Sequence, residues 1–269
     1  MKHKKQLVVI RGGGDLGTGI AHRLYTEGYK IVMLEAERPL AVRRAVSFCE
    51  AVYEGQAVVE GVKAVLATSV KDIYKILEEG FIPVYVDEKA HVVKELNPLV
   101  LVDAIMAKRN LGTNKNMAPI TIAIGPGFEA GVDVDLVVET NRGPYLGKII
   151  HSGKAQEDTG IPSEVMGYTT ERVLRAPCDG IIKSSCKIGD VVRKGDVVAK
   201  VGEMEVAAAI DGILRGIIRD GLYVKKGLKI GDIDPRGIRE YAFAISDKAR
   251  AVGEGVFRAI EYLREKENI

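Results

Sequence analysis

Val8 to Tyr25 reads VVIRGGGDLGTGIAHRLY, and its three textures decide the first half of the fold. A short run rich in Val and Ile, Gln6 to Ile10, is followed by a glycine cluster, Arg11 to Gly19. Ile20 to Glu27 then sets Ile20, Ala21 and Leu24 at helical spacing. This order predicts strand, tight turn, helix. Gly28 stops the helix, and Lys30 to Glu35 (KIVMLE) predicts a second buried strand that ends on a carboxylate. Beyond it the pattern predicts a helix over Pro39 to Ala51, extended chain over Ala57 to Ala67 broken at Gly61, and a helix over Val70 to Glu79. A strand over Ile82 to Asp87 and a helix from Asn97-Pro98 through Arg109 follow, with Asn97 as N-cap and proline in the first turn. Alternation of this kind favours a parallel sheet covered by helices on both faces.

A polar stretch, Gly112 to Asn116, reads as a linker that closes a first part over residues 1–115. Residues 116–174 complete or extend its sheet: Ile120 to Ile124 is a strand, Gly125-Pro126-Gly127-Phe128 a turn, and Asp135 to Glu139 a strand running into Thr140 to Gly143. From Arg175 the texture becomes all-β, with short β-branched runs separated by Asp-Gly, Gly-Asp and Lys-Gly. This part repeats. Asp179-Gly180-Ile181 recurs as Asp211-Gly212-Ile213, and Lys194-Gly195 as Lys226-Gly227, both at an offset of 32 residues. Two interlocked half-motifs closing into a small flattened barrel over residues 175–236 are expected, a pattern that resembles the biotinyl/lipoyl carrier fold. The hairpin between the halves, Val201 to Val206, carries Glu203, Met204 and Glu205 where a carrier presents its lysine, and Lys200 falls outside the tip. A docking or binding module without covalent biotin or lipoyl is therefore expected. Residues 237–269 hold a last helix, capped by Ser246, whose Ala249, Val252, Val256, Ile260 and Leu263 share one face. That face must dock, on this chain or on a second copy in a homo-oligomer.

Composition narrows the partners. At 269 residues with 46% hydrophobic and 28% charged residues, the chain is neither disordered, collagen-like nor a coiled coil. Lys plus Arg at 39 against Asp plus Glu at 37 leave a net charge of +2, too balanced for a protein that lives on nucleic acid or an anionic membrane. A small molecule or a protein is the expected partner. Cys49, Cys178 and Cys186 cannot all pair, and no signal-like apolar segment follows Met1 to Lys5. A reduced, cytoplasmic protein is expected, and no apolar run approaches the roughly 18 to 20 residues of a membrane span.

Three places suggest chemistry. Gly12-x-Gly14-x-x-Gly17 is the dinucleotide fingerprint, in the context that gives it meaning, after a strand and opening a helix. Gly12 allows the tight turn, Gly14 lets a pyrophosphate approach the backbone, and Gly17 lets helix pack on strand. With Gly13, Asp15 and Leu16 these residues form a candidate cofactor loop in a Rossmann-like sheet. Glu35, about 20 residues on, is placed to accept from a ribose hydroxyl, which favours NAD over NADP. Asp15 brings a negative charge into the loop, with Arg11 as its expected partner, so a unit that has lost its ligand is the competing reading. A second candidate polar site joins the Gly125, Gly127 and Phe128 turn, an anion-binding nest, to Glu139, Asn141 and Arg142, and is expected to face the glycine loop. A turn and a solvated loop are its bland counterparts. His151, in the Gly-rich stretch His151-Ser152-Gly153, is a candidate for acid–base work or metal binding, with a structural histidine as its bland counterpart. No HExxH, Cys/His cluster or GxSxG is present, so no metal site, zinc hydrolase or serine hydrolase is expected.

VVIRGGGDLGTGIAHRLY (Val8–Tyr25), PLAVRR (Pro39–Arg44), FCEAVYEG (Phe48–Gly55), IGPGFEAGVDVDLVVETNRG (Ile124–Gly143) and GDIDPRG (Gly231–Gly237) together resemble the YqeB-type family of selenium-dependent molybdenum hydroxylase system proteins. The resemblance runs from the first strand through the carrier-like part, and it implies a role in maturing molybdenum hydroxylases. It departs at Pro144, where the family often has His, and this puts a proton-transfer role there in doubt. Two functions follow as expectations. One is an accessory protein that binds a dinucleotide, NAD or molybdopterin dinucleotide, and docks an apo molybdenum hydroxylase. The alternative is an NAD(P)-dependent oxidoreductase acting on a cofactor precursor or small molecule.

Overall fold

The computed structural model describes residues 6–267, so the reading of Met1 to Lys5 lies outside the described residues. The chain divides into two compact units, one of residues 1–39, 48–158 and 245–269, the other of residues 40–47 and 159–244.

The first unit alternates strand and helix through β1 (Leu7–Arg11), α1 (Asp15–Thr26), β2 (Lys30–Glu35), α2 (Ala51–Glu54), β3 (Gln56–Val59), β4 (Val62–Ala67), α3 (Val70–Glu78), β5 (Ile82–Val86), α4 (Val93–Leu96) and β6 (Val100–Asp103). It continues with β7 (Ile120–Ile124), β8 (Glu129–Ala130), β9 (Leu136–Val138), β10 (Ile149–Ile150) and β11 (Gly153–Lys154). Nine of these strands form one sheet in the order β10-β9-β7-β6-β1-β2-β5-β4-β3. The expected all-parallel, Rossmann-like sheet is corrected here, because this sheet is mixed. β3 pairs antiparallel with β4, and β10 antiparallel with β9. The cause at one edge is local: Glu60 and Gly61 both take positive φ, 46° and 82°, the two-residue turn whose twist suits a hairpin. The central strands β1, β2, β6 and β7 are almost wholly buried, and their Val, Ile and Leu runs read as they should for strands covered on both faces.

Two helices expected from the sequence take other forms. Pro39 to Ala51 is two short 3-10 turns, Arg44–Val46 and Phe48–Glu50, leading into the single turn of α2. Asn97 ends a helix instead of starting one: it takes φ 43° after α4, with its N–H donating to the Val93 carbonyl at 2.9 Å. The residue before a proline is kept from the right-handed helical region, and asparagine tolerates the left-handed one. The chain therefore turns directly into β6.

The second unit contains β12 (Val173–Arg175), β13 (Gly180–Ser184), β14 (Val191–Val192), β15 (Val197–Val201), β16 (Met204–Ala207), β17 (Gly212–Ile217), β18 (Tyr223–Val224) and β19 (Lys229–Asp234). These make two antiparallel sheets, β12-β19-β17-β14 and β16-β15-β13-β18, which share one apolar core. The expected separate biotinyl/lipoyl-like barrel is thus also corrected. No single closed sheet forms, and Val42, from far upstream, packs against the same core and presses its carbonyl on Gly216. The repeat is an exchange of caps between halves. Asp179 accepts from the Lys226 N–H at 2.8 Å, while Asp211 accepts from the Lys194 N–H at 2.7 Å. Lys200 lies opposite Glu205 in the β15–β16 hairpin, 3.3 Å from its carboxylate.

The chain returns to the first unit as α5 (Asp247–Glu267), opened by Ser246, whose hydroxyl accepts from the Ala249 N–H at 3.1 Å. Ala249, Val252, Val256, Ile260 and Leu263 are buried along it. Its principal neighbour is α1. A Cβ built at Gly19 would lie 2.8 Å from both the Cβ and the carbonyl oxygen of Ala249, and one at Gly253 would lie 2.9 Å from the Gly19 carbonyl. Further along, Arg23 bonds Glu254 at 2.9 Å and covers the Phe257 ring, and Tyr29 donates to Glu261 at 2.7 Å. Contacts advance together along both helices, so α1 and α5 run parallel.

Gly19→Val should lower the unfolding free energy by about 1–3 kcal/mol through overpacking. Gly14→Ala, whose added Cβ meets nothing within 4 Å, should cost less than about 1 kcal/mol. Urea unfolding of the two variants checks this, and equal losses would mean that the helices do not depend on their close approach.

Candidate functional site

The turn between β1 and α1 is built by close approach. Gly12 takes φ +95°, its N–H donates to the Leu34 carbonyl at 2.8 Å, and a Cβ there would lie 2.9 Å from the Ala104 carbonyl. A Cβ on Gly17 would strike the Gly12 carbonyl at 2.0 Å. Neither position has room for a side chain. The Gly13 peptide is fully engaged: its N–H donates to the Glu35 carboxylate, and its carbonyl accepts from the Cys49 N–H at 2.9 Å and the Thr18 hydroxyl at 3.0 Å. Thr18 Oγ1 in turn accepts from the Phe48 N–H at 2.8 Å, so the segment after Ser47 clamps the turn. Gly14 is the contrast. It precedes the helix, with open space where its side chain would be, and Asp15 and half-buried Leu16 begin α1.

Glu35 faces this turn. Its second carboxylate oxygen accepts from the Ala36 N–H at 2.9 Å. Burial pushes its pKa above the ordinary carboxylate range, against the two backbone donors, with Glu88 adding to the rise. Arg11 does not partner Asp15. It is buried in β1, where its guanidinium meets Asp103 at 3.4 Å, bonds Thr113 and donates to the Glu88 carbonyl at 2.8 Å. Thr113 completes the triangle by donating to Asp103 at 2.5 Å. Cys49 is buried against Gly13, and its thiol is pushed well above its usual pKa by burial, then by the charges of Glu35 and Glu50.

The second turn is also tightly packed. Gly125 donates to the Val138 carbonyl at 2.9 Å and has Thr140 Oγ1 2.6 Å from its Cβ position, and Gly127 has the Arg109 nitrogen at 2.6 Å. Phe128 belongs to an apolar cluster with Val134 and Val137. Glu139 is a buried organiser, accepting from the N–H groups of Thr140 and Asn141, each at 2.7 Å, and of Gln156 at 2.8 Å. Asn141 donates to Gln156 Oε1 at 2.6 Å. Arg142 closes its guanidinium fork on Asp247, the first residue of α5, at 2.6 and 2.9 Å. His151 is exposed and meets the Tyr262 ring edge-on at 4.8 Å. Among the described residues no three His, Cys, Asp or Glu side chains gather as metal ligands.

One residue with a shifted pKa was missed by sequence reasoning. Lys248, in the first turn of α5, is held below the ordinary lysine range by burial and then by Arg142, while Asp15, Glu139 and Asp158 act in the opposite direction. A signal was present, because a cation in a helix's first turn opposes the macrodipole. Nothing in the sequence said which turns it would meet.

Fold and turn together define an α/β protein whose glycine turn opens a helix at the carboxyl edge of a mixed sheet. Escherichia coli (strain K12) YqeB, an uncharacterized protein, is 55% identical over 258 residues, which cover 96% of this chain and 48% of YqeB. The similarity runs along nearly the whole of this chain, which spans about half the length of that protein. No protein-family model matches it. Among solved structures, an aspartoacylase family protein from Mesorhizobium loti is 11% identical, with a TM-score of 0.26 over 86% of each chain. The ectoine utilization protein EutE (DoeB) from Ruegeria pomeroyi is 12% identical, with the same TM-score and coverage. No helix of the described residues is long and apolar enough to cross a membrane.

Glu35 makes the pH dependence of stability predictable. With its folded pKa above the unfolded value, its contribution is full below the ordinary carboxylate range and is lost as pH rises through the folded value. The stability of the native protein relative to Glu35→Gln should therefore increase as pH falls from 7 to about 4. Urea unfolding at several pH values reads this difference, and a flat or opposite trend would exclude a raised Glu35.

Proposed function

We propose that the first unit binds a dinucleotide-type cofactor at Gly12–Gly17, and that the chain is an accessory protein in the maturation of selenium-dependent molybdenum hydroxylases. The observation that carries the binding reading is Gly14: a position without neighbours at the N-terminus of a 12-residue helix, after a turn already made rigid by Gly12, Gly13 and Gly17. The first N–H groups of a helix have no intrahelical acceptor, and the macrodipole favours an anion there. A pyrophosphate set against Gly14 would accept from the Leu16 and Gly17 N–H groups. Glu35 would have to give up the Gly13 N–H to accept from a ribose hydroxyl.

Binding without turnover is the form supported. Thr18 is spent on packing the turn, and the raised thiol of Cys49 is no nucleophile near neutral pH. The maturation role rests on the similarity to YqeB-type proteins and on the motifs quoted above. It carries with it a client apo-hydroxylase as partner, a cytoplasmic setting, and a second unit that carries no covalent biotin or lipoyl group.

Calorimetry with NAD, NADP and molybdopterin dinucleotide should detect binding by the native protein, and Gly14→Val should weaken it at least about tenfold, or about 1.4 kcal/mol. No binding of any of the three overturns the cofactor reading. Deleting the chain from its host should abolish purine or xanthine hydroxylase activity. Undiminished activity, with normal metal and selenium content in the hydroxylase, overturns the maturation role.

A further inference from the structure

Two features of the second unit go against local rules. The first is a hairpin that precedes β12. Val165 and Tyr168 exchange backbone bonds at 2.9 and 3.1 Å, and Met166 and Gly167 between them take φ 51° and 82°. Positive φ at both central positions is the turn whose twist suits a hairpin, and its first residue is ordinarily asparagine, aspartate or glycine. Methionine is strained there, because its Cβ crowds the backbone in the left-handed region. Packing does not offset the strain, since Met166 is 68% exposed at the tip. Residues 159–171 around it carry Glu164 and Glu171 and no lysine or arginine.

The second feature is the outer face of the sheet β16-β15-β13-β18. Ile182, Val201 and Val224 belong to the core, so alternation turns Ile181, Lys183, Lys200 and Tyr223 outward. The register sets Ile181 against Tyr223, 51% and 58% exposed, and Lys183 directly against Lys200. Like charges directly opposite each other destabilise a sheet. Lys200 has Glu205 at 3.3 Å, but among the described residues no carboxylate lies within ion-pair distance of Lys183.

We propose that the second unit is a self-association module, in which the hairpin of one copy lies on this sheet face of a second copy. The two surfaces are complementary. An apolar tip beside a free carboxylate, Met166 and Glu164, matches an apolar pair beside an uncompensated lysine, Ile181 with Tyr223 and Lys183. Both surfaces are exposed, so neither covers the other within one chain. Methionine and tyrosine are enriched where interfaces are fully buried, and Met166 against Tyr223 would bring the two together. Glu164 at Lys183 would relieve the repulsion across β13 and β15. Strained backbone persists where the strained residue has a task, and here the task is to present the methionine. This inference does not rest on the cofactor reading of the first unit.

Sedimentation velocity should show that the native chain self-associates, more weakly at about 0.5 M than at about 0.05 M salt. Met166→Gly separates recognition from folding. Glycine takes positive φ without strain, so this variant should unfold at the same temperature as the native chain or higher, yet associate at least about tenfold more weakly. Lys183→Glu and Glu164→Lys should each weaken association at least about threefold. Mixing these two variants should restore it, because a reversed hairpin then meets a reversed face. A native chain that stays monomeric up to about 100 μM overturns the inference. Undiminished association of Met166→Gly, or a mixture that associates no better than its components, overturns it equally.

Discussion

The contact of Gly19 with Ala249 and Gly253 is the constraint on which the first unit depends. Without side chains at the two glycines, α1 and α5 approach until backbone carbonyls touch the neighbouring helix. A second such contact, Gly147 against Ala251 and Gly255, sets the same helix on the loop after β9. α5 thereby covers the β7 and β9 side of the sheet and α1 at once, although more than 200 residues separate the two helices. Close packing fixes not only the distance but the direction. It is the parallel direction that places Ser246, Asp247 and Lys248 beside Asp15.

Rigidity and availability are divided between neighbouring residues of the glycine turn. The Gly13 peptide is held by Glu35, Cys49 and Thr18, so its position is fixed before any ligand arrives. Such preorganisation reduces the ordering cost of binding. Gly14, one residue on, is left with space and with the start of α1 behind it. Burial of Glu35 beside the turn has its own cost, visible in its raised pKa, and the two backbone donors only partly offset it.

What the sequence reveals and what it hides follows from the range of each interaction. β1, the glycine turn, α1 and β2 were legible because periodicity and glycine placement act within a few residues, and the buried face of α5 was legible for the same reason. The mixed sheet was not, because a single two-residue turn at Glu60-Gly61 reverses β3, and β5 inserts between β2 and β4. Asn97 was misread because asparagine before proline serves equally as a helix start or a helix stop, and the choice lies in φ. Of the candidate site, Gly12, Gly14 and Gly17 were visible as a pattern. The partners were not: Arg11 finds Asp103 and Thr113, Arg142 finds Asp247, and Lys248 senses Asp15 only through tertiary packing.

The same distinction separates the motifs that carry the resemblance to YqeB. GDIDPRG sets two acids and an arginine close together in sequence, and its acids are absorbed by ion pairs inside the second unit. Asp232 accepts from Arg172 at 2.8 Å and lies 3.7 Å from Arg215, and Asp234 accepts from Arg236 through both oxygens. Buried pairs of this kind add little net stability but penalise any packing that separates them, so such a motif can specify a fold without touching a ligand. The middle motif behaves alike, with Glu139 spent on three backbone donors and Gly125 and Gly127 on close contacts. Subtracting such commitments from the glycine turn leaves Gly14 as the glycine that folding does not explain. It has room it does not need, at the start of α1.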